Sequence, residues 1–210
     1  MKFLDKIERK HPRWGVENLM LHICILIAIV YVMHYVFKAN IIGYLYLDRD
    51  AVFSGQVWRL ISFVFIPEYG SLINFIFWMY LYYFIGSSLE NSWGSFKFTA
   101  YYFVCILSTV AAALLFGGRY TGVYINLSLF LAFAMLYPEY RLLIFYILPV
   151  KVKYLALLDA AFLLYRFIIG GLTVKLSIAA AMFGFLLIFG QELLGMIKAW
   201  IRRQKYKNKF

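Results

Sequence analysis

Ser128 sits in the apolar stretch TGVYINLSLF at 121–130, two residues after Asn126. A serine in a membrane acts as a nucleophile only when a general base takes its proton across a hydrogen bond of about 3 Å. His11 falls in a basic terminus. His22 and His34 share the first apolar run, twelve residues and about 18 Å of helix apart, so they cannot act as a pair. A lone imidazole in a membrane helix is more often a packing or interfacial residue. Lys175 could serve in a Ser-Lys dyad, although its long stem would more simply carry the ammonium to the headgroups. Asp159, in KVKYLALLDAAFLLYRF, is costly at depth unless paired or hydrated. Glu192 lies near the end of the last apolar run, so Asp159 is the single deep carboxylate and a proton relay lacks its chain of groups. Cys24 and Cys105 occupy separate apolar runs without CxxC spacing, which argues against a disulfide framework or a metal site. No cofactor is expected.

The elements that must position these groups are membrane helices. The 210 residues are 64% hydrophobic and 21% aromatic, against roughly 45–50% apolar content in a soluble domain. The mean hydropathy is +0.78. About eighteen mixed polar residues precede the first apolar run, unlike a secretory signal peptide. The net charge of +11 is concentrated in the two ends, MKFLDKIERKHPRW and KAWIRRQKYKNKF. Beside apolar spans such cations mark the cytoplasmic side and attract anionic headgroups, and the tails lack the stacking platform of a nucleic-acid binder.

The apolar runs predict an all-α polytopic membrane protein with six transmembrane helices at 19–37, 71–89, 97–116, 121–137, 154–170 and 174–197. The run LLIFYILPV at 142–150 is too short to span, ends near Pro149 and reads as interfacial. Six spans put the basic N-terminus (1–18) and the basic tail (198–210) on one side, with Arg141, Lys151 and Lys153. The outward loop 38–70 contains AVFSGQVWRLISFVFIP, whose apolar residues around Gln56, Trp58 and Arg59 fit an interfacial segment. No repeat or linker divides residues 1–210, which form a single domain.

Two stretches carry a family resemblance. GQVWRLISFVFIP holds a Trp-Arg pair, Trp58 and Arg59, and GSSLENSWGSFKF holds Gly86, Glu90, Gly94 and Ser95 as Gly-x-x-x-Glu followed by Gly-Ser. In this order, over roughly residues 50–195, the chain resembles the rhomboid superfamily of intramembrane serine proteases and their inactive relatives, the derlins included. Physically, Gly94 permits a tight turn, Ser95 is a candidate N-cap for span three, and Glu90 lies within reach of the free donors of that first turn.

Active rhomboids also carry Gly-x-Ser-Gly at the outward end of span four and a histidine in span six. Counting back from Pro138 places the serine position near Val123 or Tyr124, and aligning Gly184 with the family's second glycine places the histidine position at Ala181. Neither group stands there, and Ser128 lies about five residues deeper.

Ser128 and Asn126 are therefore expected to bond a neighbouring helix or their own preceding turn. Ala132 and Ala134 on span four, and Ala179, Ala180 and Ala181 on span six, would let those helices pack closely. The resemblance implies a pseudoprotease that binds transmembrane segments of client proteins, admitted between spans two and five, and influences their folding, trafficking or degradation. An active protease using Ser128 with a non-standard base, and a passive scaffold, are the alternatives. The expected location is a bacterial cytoplasmic membrane with both termini inside.

Overall fold

The computed structural model describes residues 14–67, 71–144 and 148–207. His11 and most of the basic N-terminus lie outside the described residues, as do the side chains of Glu192 and of the basic tail. The chain is mostly helical. Helix α1, Leu19–Tyr31, runs on into a π-helical turn, Val32–Val36. Three short helices follow: α2 (Ile42–Leu45), α3 (Arg49–Phe53) and α4 (Arg59–Ser62). The long ones are α5 (Leu72–Trp93), α6 (Ser95–Phe116), α7 (Val123–Leu136), α8 (Val152–Ile169) and α9 (Leu172–Lys207).

Leu19–Val36, Leu72–Trp93 and Ser95–Phe116 are long and apolar enough to cross a membrane, with mean hydropathies of 2.3, 1.4 and 1.9. Val123–Leu136 and Leu172–Leu187 are shorter apolar helices. Helix α8 carries Lys153, Asp159 and Arg166 within its 18 residues. Outward side chains such as Ile73, Leu115, Leu157 and Ile169 are exposed, as they would be with lipid as the solvent.

The all-α expectation is corrected by two small antiparallel pairs. Strands β1 (Leu47–Asp48) and β2 (Arg119–Tyr120) join the loop after α1 to the turn before α7. Strands β3 (Arg141–Ile144) and β4 (Leu148–Lys151) turn the apolar run at 142–150 into a hairpin with Leu143 opposite Pro149. A run too short for a spanning helix and rich in Leu, Ile, Phe, Tyr and Val satisfies its backbone groups by pairing with itself. Proline, which has no N–H to donate, is tolerated at such an edge.

Close approach is set by small residues. A Cβ on Gly86 would strike the Met20 side chain, so this glycine lets α1 lie against α5. A Cβ on Gly184 would strike Cys105 Sγ, which seats α9 on α6. At the same contact Ser108 Oγ donates to Ala180 O at 2.7 Å. Ala180 and Ala181 are buried there while Ala179 is exposed. Helix α9 also meets α7, on which Ala132 and Ala134 are buried, but its small face is turned chiefly to α6.

Candidate functional site

Ser128 is fully buried. Its hydroxyl donates to Ile125 O at 2.7 Å, one turn back, and lies 2.9 Å from Tyr101 Oη on α6. The neighbouring helix it bonds is thus α6, through a phenol that sequence spacing did not bring forward. Both candidate imidazoles are engaged elsewhere: His22 Nδ1 with Asn18 O and His34 Nδ1 with Ala39 O, each at 2.9 Å on the first span. Lys175 lies in the first turn of α9, its backbone N–H bonded to Gly171 O. No imidazole or ammonium hydrogen-bonds Ser128 among the described residues. Ala181, at the histidine position, is buried with its carbonyl 3.8 Å from Cys105 Sγ.

Within the loop expected to be interfacial, Arg59 has an inward role. This side chain is 7% exposed. Its Nε donates to Gln56 Oε1 at 2.7 Å, and its Nη1 donates to Gly43 O at 3.1 Å and Tyr46 O at 2.8 Å. Trp58 Nε1 donates to Tyr44 O at 3.1 Å, and Ser62 Oγ donates to Leu45 O at 3.2 Å. The carbonyls of residues 43–46, which end the single turn of α2, are all taken by side chains near or on α4. The last carbonyls of a helix have no partner further along it, and a cation at that end is favoured. Trp58 itself stays exposed beside Phe53, Val57 and Ile61, an apolar outer face consistent with the interface.

Glu90, on α5, ties the start of α1 to the start of α6. Its Oε1 accepts from Asn18 N at 2.7 Å, at the start of α1, and from Ser95 Oγ at 2.8 Å, at the start of α6. Ser95 is therefore not an N-cap as expected. It is the first helical residue, its hydroxyl is committed to Glu90, and Gly94 occupies the cap position at φ 84°, a region closed to most L side chains. Val16 N donates to Thr99 Oγ1 at 3.0 Å, and Gly15 lies so close to the backbone of Ser95 and Phe96 that a Cβ would collide.

Between α5, α7, α8 and the base of the hairpin lies a cavity of about 600 Å³. Its wall is aromatic and aliphatic, with Trp78, Tyr82, Phe84 and Phe130 among the lining residues, and its polar members include Asn126, Asp159 and Arg141. Helices α5 and α8 both pack on α7 and leave this space between them. Tyr80, among its lining residues, is 58% exposed, so the cavity is open on that side of α5. Sequence reasoning picked out Asn126 and Asp159 separately, by their cost in a membrane, and the fold places both in one cavity.

Next to the cavity-lining Tyr140 and Arg141, the exposed carboxylate of Glu139 accepts from Lys151 Nζ at 2.7 Å and Lys153 Nζ at 2.6 Å, bracing the hairpin base. The two ammonium groups hold its pKa down at about 2 from an ordinary 4.5. A depressed carboxylate pKa contributes stability that is present above 4.5 and lost as pH falls toward 2. The stability difference between the wild type and Glu139→Gln, measured by thermal unfolding in micelles, is expected to vanish across that window. It should also shrink in high salt, because the pair is exposed.

Residues 21–190 match the model of a family described as eukaryotic integral membrane protein, DUF1751. The chain belongs to this family. The match runs from α1 into α9 and takes in the Arg59 loop, Glu90 and Ser95, and the cavity, while Asn18 precedes it. The eukaryotic description of the DUF1751 family overturns the expected bacterial cytoplasmic membrane, while placement as an integral membrane protein stands. No curated protein matches the chain.

Proposed function

We propose that this member of DUF1751 is a rhomboid-like pseudoprotease with six spans and both termini cytoplasmic. In this reading it binds transmembrane segments of client membrane proteins and influences their folding, trafficking or degradation. The observation that carries the reading is the lateral cavity between α5 and α8, the second and fifth spans, large and mostly apolar yet open at Tyr80. The Trp58-Arg59 and Gly86 to Ser95 motifs support the rhomboid-like assignment, and the basic tails, suited to anionic headgroups, support the orientation.

The absence of Gly-x-Ser-Gly and the alanine at 181 favour binding over cleavage, as does a Ser128 hydroxyl bonded to Ile125 O and set against the Tyr101 phenol. Helix α7, with 14 residues, is about 21 Å long. A span so much shorter than the roughly 30 Å hydrocarbon core thins the bilayer beside the cavity and eases lateral entry.

A photoreactive residue at Asn126 or Trp58, activated in native membranes, is expected to capture transmembrane segments of other membrane proteins. Capture confined to soluble partners of the basic tails would point instead to a passive scaffold. Fluorophosphonate labelling of the purified protein that disappears in Ser128→Ala would establish a protease.

A further inference from the structure

Two buried acceptors in the lateral cavity have no donor among the described residues: Asp159 Oδ2 and Asn126 Oδ1. Asp159 is 9% exposed and Asn126 6%. Leaving a buried polar atom unsatisfied is unfavourable, and leaving a carboxylate so is more unfavourable still. Arg141 lines the same cavity from β3, yet no ion pair joins it to Asp159. We propose that the cavity selects client transmembrane helices that carry a lysine or arginine within the membrane, Asp159 receiving the cation and Asn126 a second donor one helical turn away. This deepens the client-binding reading and rests on it.

Size and depth both fit one turn of a helix. A cylinder 10–12 Å wide and 5.4 Å tall, one turn with its side chains, occupies roughly 420–610 Å³, against about 600 Å³ in the cavity. Counted from the ends that residues 137–151 join, Asp159 is seven residues into α8 and Asn126 ten residues into α7. At 1.5 Å per residue these depths differ by about 4.5 Å, close to one helical pitch. A basic residue and a hydroxyl or amide side chain three or four positions away on one client helix would therefore meet both acceptors.

A phospholipid is the competing occupant, since Arg141 could take its phosphate. Its acyl chains, however, offer no donor to either acceptor, and its phosphate is repelled by the carboxylate. A basic client residue also gains, because a cation alone in hydrocarbon is costly and here finds its counter-ion. The charge-assisted contact forms where water is excluded, which strengthens it.

The test uses the full chain reconstituted in phosphatidylcholine nanodiscs and synthetic Leu/Ala helices of about 21 residues. Each helix carries a photocrosslinker and lysine, leucine or glutamate at its centre. The lysine helix is expected to bind about tenfold or more tightly than the leucine helix, and the glutamate helix no better than leucine. Asp159→Asn should bring the lysine preference down to about one, while Asp159→Glu retains it. If Asp159→Asn fails to fold, the three-helix comparison on the wild type still decides. Equal capture of the lysine and leucine helices overturns this proposal and leaves the client reading intact, whereas capture of no helix sinks the client reading as well. A lysine preference that survives Asp159→Asn removes the role given to Asp159. Displacement of every helix by phosphatidylglycerol identifies a lipid site and also overturns the proposal.

Discussion

Arg59→Ala is expected to destabilise the protein by roughly 3 kcal/mol, read as the shift in its unfolding transition in detergent micelles. The wild-type guanidinium is buried and gives three hydrogen bonds, two of them to the carbonyls of Gly43 and Tyr46. Hydrogen bonds to charged groups contribute about 1.5–3 kcal/mol each, but three made by one side chain are not additive, so the total stays near the upper end for one or two. The variant leaves both carbonyls without these donors at the end of a one-turn helix, past which no helical N–H follows to replace them. Arg59→Lys should recover only part of the loss, because a single ammonium cannot reproduce a fork that reaches Gln56 and two carbonyls at once. A residue lying merely at headgroup depth would tolerate lysine, so equal stability of wild type and Arg59→Lys would defeat the inward role. Limited proteolysis between residues 38 and 58 should rise in step with the stability loss.

Glu90→Ala is the second large effect, about 2–3 kcal/mol by the same measurement, since it removes a buried acceptor from two part-buried hydrogen bonds at once. Glu90→Gln should behave quite differently. Both bonds are received by the one oxygen, Oε1, and a carboxamide oxygen can receive both in its place. Only the charge is lost, about 1 kcal/mol or less. Were Glu90 a proton donor or acceptor in a reaction, glutamine would be as harmful to function as alanine. A near-wild-type glutamine variant alongside a crippled alanine variant therefore marks the residue as a fastener between helices.

The helices were legible because hydropathy along a membrane helix needs no knowledge of its neighbours. The first predicted span, 19–37, meets a helix and π turn at Leu19–Val36, and 97–116 meets Ser95–Phe116. The last helix runs ten residues past its predicted end at 197 because IRRQKYK contains no glycine or proline to stop it, and polarity ends a span without ending a helix. The hairpin at 141–151 escaped because strand formation depends on a partner, and its partner is its own second half.

The roles inside the site divide in the same way. Asn126 and Asp159 stood out by the cost of their chemistry, whereas their sharing one cavity depends on how α7 and α8 are set. Arg59 and Ser128 were noticed as residue types, but beyond the local bonds to Gln56 and Ile125 their partners lie 13 to 27 positions away, at Gly43, Tyr46 and Tyr101. Nothing in the local pattern around a backbone carbonyl announces that an arginine will come to it. Likewise Gly94 was recognisable as a turn, while Ser95 turned from its own helix to Glu90 because the carboxylate is the stronger acceptor.

The bond from Asn18 to Glu90 also orders events during synthesis. Seventy-two residues separate donor from acceptor, so at about 5–20 residues per second the first helix leaves the ribosome roughly 4–14 s before its fastening exists. During that interval its leading N–H groups must be held by water or headgroups at the membrane surface. Nascent chains truncated before residue 90 would carry a first helix that is inserted but loosely moored, and the bundle closes at this end only when the turn into α6 has been made.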